Sequence, residues 1–108
     1  MELTLAKKIV IITEAIIEER VISLLNARGL KGYTVYRGLH GKGAHGKRSA
    51  LGAMEEFGFG ENVRLEAIVT NEEQAVSVIE AVYEDFLFER YAGIAYLEDV
   101  RVIRPDKF

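Results

Sequence analysis

Four short β-branched or aromatic runs, two stretches of helical apolar spacing and one glycine-rich interruption between the second and third runs predict an α+β protein. Across 108 residues the order is β-α-β-β-α-β, the order of a ferredoxin-like split βαβ sandwich. Such a sandwich lays both helices on one face of its sheet. The other face needs cover, and association into a homotrimer would supply it.

The first strand is expected at Ile9-Val10-Ile11-Ile12, a continuous branched run of the kind buried on both faces. Thr13 is read as the cap of the helix that follows, with Glu14 in its first turn. Ile17, Val21, Leu24 and Leu25 fall at i, i+4, i+7 and i+8, an apolar stripe that must face the sheet. Gly29 then closes the helix. Residues 32–36, rich in aromatic and β-branched side chains, read as the second strand. Residues 62–69 alternate apolar and polar, a third strand with one solvated or interface face. Asn71 with Gln74 three residues on resembles a capping box, and Ala75, Val78, Ile79, Val82 and Phe86 continue it as the second helix. Residues 93–97 form the fourth strand. Residues 100–104 are its continuation or a fifth strand, stopped by Pro105. Tyr33, Val35, Leu65 and Ala67, or their neighbours, are expected on the face away from the helices.

Hydrophobic residues at 49% and charged residues at 29% exclude disorder as the overall state. A formal charge of −3 argues against a general nucleic-acid binder. The absence of cysteine rules out disulfides, thiol chemistry and Cys-based zinc sites. No apolar run approaches about 18 residues and no signal-peptide pattern opens the chain. A single cytoplasmic domain over residues 1–108 is expected.

Residues 38–60 hold seven of the ten glycines, His40 and His45, and the cations Lys42, Lys47 and Arg48. Glycine-rich basic backbone brings N–H groups and cations close to an anion, so a mobile loop touching an anionic ligand at its base is expected. Gly41-x-x-x-x-Gly46-Lys47 is nearly a P-loop. The next residue is Arg48 instead of a magnesium-holding Ser or Thr, and the element order is wrong for that fold. His40 and His45 suggest a metal-responsive trimer as an alternative, although only Glu55 and Glu56 stand by to assist them; two solvated loop histidines are the simpler reading, and no metal site is assigned. Tyr33 and Tyr36 suggest a second alternative, an RNA-stacking module, but they lie on the second strand and the charge is unfavourable. No nucleophile or paired acid-base set appears, so no catalytic residue is assigned and the protein is not expected to be an enzyme. Arg101 and Arg104 carry the planar fork that suits phosphate. Three apart, they would point to opposite faces of a regular strand, but irregular backbone before Pro105 would let both reach one cleft.

Lys7-Lys8-Ile9, Gly29-x-x-Gly32-Tyr33-Thr34-Val35, Val63-Arg64-Leu65-Glu66 and Val100-Arg101-Val102-Ile103-Arg104 occur in the order of the landmarks of PII-like signalling proteins. The chain resembles that family over nearly its whole length. Tyr91-Ala92-Gly93-Ile94 and Gly41-Lys42-Gly43 resemble its carbon-responsive branch, which includes carboxysome-associated proteins and regulators of bicarbonate transporters. The resemblance implies a trimer with adenine nucleotide in three clefts between subunits. Residues 38–60 would be a T-loop that changes order with ligand and engages a transporter or a carbon-fixation protein. Matching positions make Thr34, Gly41, Lys42, Gly43, Tyr91, Ala92, Gly93, Ile94, Arg101 and Arg104 the expected nucleotide- and anion-binding residues, with bicarbonate near Lys42.

The departures from the family pattern have consequences. Nitrogen-sensing members carry Gly-Asp-Gly-Lys where this chain has Arg90-Tyr91-Ala92-Gly93, and a T-loop glutamine where residues 38–60 have none. That stretch also lacks a tyrosine for uridylylation, and Asp106 stands where a basic residue is expected. Fewer phosphate ligands penalise the most charged nucleotide most, so AMP, ADP or cyclic AMP is expected over magnesium-ATP.

Overall fold

The branched run at residues 9–12 is the middle of a longer strand. The computed structural model describes residues 2–40 and 61–104. Strand β1 (Thr4–Glu14) leads through a 3-10 turn (Ala15–Ile17) into helix α1 (Glu18–Ala27). Strands β2 (Thr34–Leu39) and β3 (Asn62–Val69) follow, then helix α2 (Glu72–Val82), a π-helical turn (Tyr83–Leu87) and strand β4 (Gly93–Val102). The sheet order is β2-β3-β1-β4, antiparallel at every pairing. This is the ferredoxin-like sandwich that the sequence predicts.

Alternation along the central strands sorts side chains between two faces. Ile9 and Ile11 of β1 join Val63, Leu65 and Ala67 of β3 under the helices. Val21 and Leu25 of α1 and Ala75, Val78 and Val82 of α2 close that core. Leu65 and Ala67 therefore face the helices, and Val35, which pairs with Leu65, packs against the same core. The open face is made by their neighbours: Thr34 and Tyr36 opposite Glu66 and Arg64, with Lys8 of β1 3.6 Å from Glu66. Val10 lies on this face yet is fully buried, between Glu66 of β3 and Tyr96 of β4 in the ladder.

Three boundaries differ from expectation for physical reasons. Thr13 does not cap a helix: it pairs with Val63 on one side and Gly93 on the other, so β1 continues to Glu14. Its hydroxyl donates to Ala92 O at 2.8 Å, and α1 opens five residues later without a side-chain cap. β2 starts two residues late and has an irregularity between Tyr36 and Leu39. β4 is one strand through residue 102, because the acidic pair that interrupts its apolar pattern is neutralised across the ladder. Lys7 pairs with Asp99, and Lys8 stands 3.8 Å from Glu98.

The helix ends follow their sequence cues. Gly29 (φ 84°) reverses the chain so that its N–H reaches Asn26 O and the Leu30 N–H reaches Leu25 O, a Schellman closure. Asn71 Oδ1 accepts from the Gln74 N–H at 2.9 Å as the capping pattern predicts. The Gln74 side chain, however, donates to Arg28 O at 3.0 Å and ties the two helices together. Asn71→Ala should cost about 1 kcal/mol in chemical denaturation, the usual worth of an N-cap.

Candidate functional site

At one end of the sheet β1 finishes beside the start of β4, with Thr13 opposite Gly93 and Glu14 opposite Asn62. β2 ends at the same height, where Leu39 pairs with Asn62. The described ends at Leu39 and Asn62 therefore lie at the end of the sheet that holds Gly93 and Ile94. Gly41, Lys42, Gly43 and His45 lie outside the described residues.

Side chains of β1 hold the turn before β4. Thr13 Oγ1 donates to Ala92 O at 2.8 Å, and Glu14 Oε2 accepts from the Ala92 N–H at 2.7 Å. Arg20 donates to the Tyr91 hydroxyl at 2.8 Å, its guanidinium carbon 5.4 Å from the ring centre. A second tie secures the end of β2. Arg37 Nε donates to both carboxylate oxygens of Glu18 at 2.9 and 3.0 Å, and Nη2 pairs with Glu18 as well. That hydrogen bonding to Arg37 holds the Glu18 carboxyl below the ordinary carboxylate range, against the opposing effect of burial. Because the folded-state pKa is depressed, the contribution is complete above the unfolded glutamate value of about 4.3 and is lost as pH falls through the lower folded value. The difference in urea midpoint between the wild type and Arg37→Ala should therefore be present at pH 6 and shrink below about pH 4.

Arg101 and Arg104 lie at the far end of β4. Arg101 pairs with Leu5, eight residues along the strand from Gly93 and so roughly 27 Å away. Arg104 lies two residues beyond the last strand residue with φ 64°, so strict alternation has ended before it. This is the irregular exit expected ahead of Pro105, and both arginines are exposed.

Thr34 is on the opposite edge, in β2. Two residues before it, Gly32 lines a cavity of about 180 Å³ together with Gly29, Ile68, Thr70 and Gln74. Sequence reasoning did not single out this cavity, and its available signal was the glycine pair at 29 and 32. The described site residues thus occupy both edges of one sheet. Thr34 and the cavity are on the β2–β3 side, while Gly93, Ile94 and Arg101 belong to β4, with Tyr91 and Ala92 just before it and Arg104 just after it. A single chain does not bring them together.

The alternatives gain no geometry here. Tyr36 lies on the open face, whereas Tyr33 precedes β2 three residues earlier, so the two do not form one stacking platform. His40 is exposed, and among the described residues no group of three or more His, Asp or Glu gathers to hold a metal. No described helix is long and apolar enough to cross a membrane.

Comparison with known proteins is consistent over the whole chain. The profile of the nitrogen regulatory protein P-II family matches residues 6–107. A PII-like signalling protein from Thermus thermophilus is 36% identical, covers 100% of this chain and 99% of its own, and superposes with a TM-score of 0.77. CPII from Thiomonas intermedia, bound to ADP, AMP and acetate, is 30% identical over 100% of this chain and 98% of its own, with a TM-score of 0.77. The same protein bound to ADP and bicarbonate matches at 31% identity, 99% and 97% coverage, and a TM-score of 0.76.

Proposed function

The chain belongs to the nitrogen regulatory protein P-II family, and from that membership we propose that it is a non-enzymatic sensor of adenine nucleotides and bicarbonate. The observation that carries this reading is CPII, similar to this chain from end to end and captured with ADP, AMP and bicarbonate. AMP and ADP are the favoured ligands over magnesium-ATP, because the Asp and Lys of the Gly-Asp-Gly-Lys pattern are missing from residues 90–93.

The division of candidate residues between two sheet edges supports a ring. When opposite edges of identical chains meet head to tail, the interface is heterologous and closes by rotation. In the proposed homotrimer each cleft combines Thr34 and the neighbouring cavity of one copy with Arg101 and Arg104 of the next. Nucleotide and anion binding then bias one conformation of the segment at residues 38–60, to the extent that they bind that conformation more tightly. The proposed readout is engagement or release of a transporter or a carbon-fixation protein in the cytoplasm.

A thermal-shift panel with AMP, ADP, ATP and cyclic AMP, each with and without bicarbonate, tests the reading. A ligand present at ~100 times its dissociation constant adds about 2.7 kcal/mol of stability. Stabilisation by an adenine nucleotide, increased by bicarbonate, is the expected result. A melting curve that no nucleotide moves would overturn it.

A further inference from the structure

We propose that the groove between the end of α2, the π-helical turn and β4 is a docking surface for a basic amphipathic helix of a partner protein. The surface does not depend on the nucleotide reading.

Residues 72–89 carry Glu72, Glu73, Glu80, Glu84, Asp85 and Glu89, with no Lys, Arg or His among them. All six are exposed, because α2 turns Ala75, Val78 and Val82 to the core instead. After Val82 the helix widens into the π-helical turn Tyr83–Leu87, a distortion that natural helices concentrate at functional sites. A groove of about 550 Å³ opens at this turn. Its floor is apolar, made by Ile79, Leu87 and Ala95, each partly buried against the core. Glu80, Tyr83 and Glu84 complete the lining. Tyr83 is 52% exposed, and Phe88, 53% exposed, stands beside it with ring centres 5.7 Å apart.

Charge selects the partner. Among the described residues neither the Glu80 nor the Glu84 carboxylate has a hydrogen bond or an ion pair. Lys7 is engaged with Glu72 at the other end of the helix, and Arg90 donates to the Asp85 carbonyl at 3.3 Å. Two like charges one helical turn apart weaken the helix that carries them. The chain keeps that repulsion beside exposed apolar surface, where Lys or Arg side chains from outside would relieve it. The exposed face of Tyr83 offers the same cations a further contact. An acidic or neutral partner would leave both carboxylates unpaired, and a purely polar one would leave the floor uncovered.

Length selects a helix. From Ile79 to Leu87 the floor follows eight residues, roughly 12 Å at 1.5 Å per residue. That is close to the span of i, i+4 and i+7 anchors on an amphipathic helix laid in a groove.

The probes are synthetic, fluorescently labelled peptides of about 15 residues, long enough to form a helix. One has Leu on one helical face and Lys on the other. A second replaces its Lys by Glu, and a third replaces its Leu by Gln. Anisotropy at low salt on the full chain is expected to show binding of the Leu/Lys peptide, none of the Leu/Glu peptide, and binding of the Gln/Lys peptide weaker by about 10-fold or more. Glu80→Gln with Glu84→Gln should weaken the Leu/Lys peptide about 10-fold, the worth of two surface ion pairs. Glu72→Gln with Glu73→Gln removes as much charge away from the groove and should change affinity about twofold or less. Amide resonances of Ile79, Leu87 and Ala95 in the wild type should move on saturation with the Leu/Lys peptide, which decides the matter even if a variant fails to fold. Absence of binding, unmoved resonances, or equal losses in the two variant pairs would overturn the proposal. So would a change of oligomeric state in the Glu80→Gln, Glu84→Gln variant by light scattering, since the groove would then belong to a neighbouring copy.

Discussion

Gly93→Ala is expected to lower the melting temperature by roughly 10–20 °C, the shift that a loss of about 3 kcal/mol produces in a domain of this size. The added Cβ would stand 2.5 Å from Ile12 O and 3.0 Å from both Cβ and Oγ1 of Thr13. Two of these three atoms cannot rotate away, because they are the backbone oxygen and the Cβ of adjoining residues on a central strand. Thr13 is itself only 1% exposed and enclosed by the core. Relief therefore requires β1 and β4 to separate where they carry the Thr13 and Glu14 bonds to Ala92. The φ of +155° adds strain for any side chain. Calorimetric melting of the variant measures the loss. A change within about 2 °C would mean that the strands part there at little cost, and the rigid seating of the turn would be wrong.

The parts of this molecule that were legible in the sequence are those whose cause is local or periodic. Val63, Leu65 and Ala67 sit at every second position and all three are buried, so β3 was read with its observed bounds. Gly29 and Asn71 act within a few residues of themselves and were read correctly too. The periodicity alone did not say which face of β3 meets the helices: Leu65 and Ala67, or their neighbours, were expected on the open face, and the neighbours Arg64 and Glu66 are the ones that lie there. Thr13 shows how a long-range partner overrides a local cue. A threonine before Glu14 has the composition of a cap, but its hydroxyl goes to Ala92, 79 residues away. The acidic pair Glu98-Asp99 broke the apparent fourth strand for a related reason, since the lysines that match it lie in β1. The candidate site residues come from family resemblance one at a time, and their roles are proposals that the binding experiments test. Their distribution over two edges follows from strand order, which no single motif encodes.

Replacing Arg101 and Arg104 together by alanine is expected to weaken ADP binding roughly 100- to 10,000-fold while light scattering still reports a trimer. Each lost charge-assisted hydrogen bond to phosphate is worth ~1.5–3 kcal/mol, and both side chains are exposed, so the fold does not depend on them. Unchanged affinity in calorimetry would remove the arginines from the site. A mixing experiment then asks whether the cleft is shared. Ile68→Glu puts a carboxylate into the cavity on the β2–β3 side and disables the other half of the proposed site. Neither variant alone should bind. Refolded together at equal amounts, about three-quarters of the rings are mixed, and each mixed ring holds one cleft in which both halves are native. About a quarter of the native number of sites should return at wild-type affinity. If each site were built within a single chain, mixing would restore none, because every chain carries a lesion. With Thr34 and the cavity on the β2–β3 side of the sheet and Arg101 at the far end of β4 on the other edge, the shared cleft is the arrangement that lets one nucleotide touch both halves.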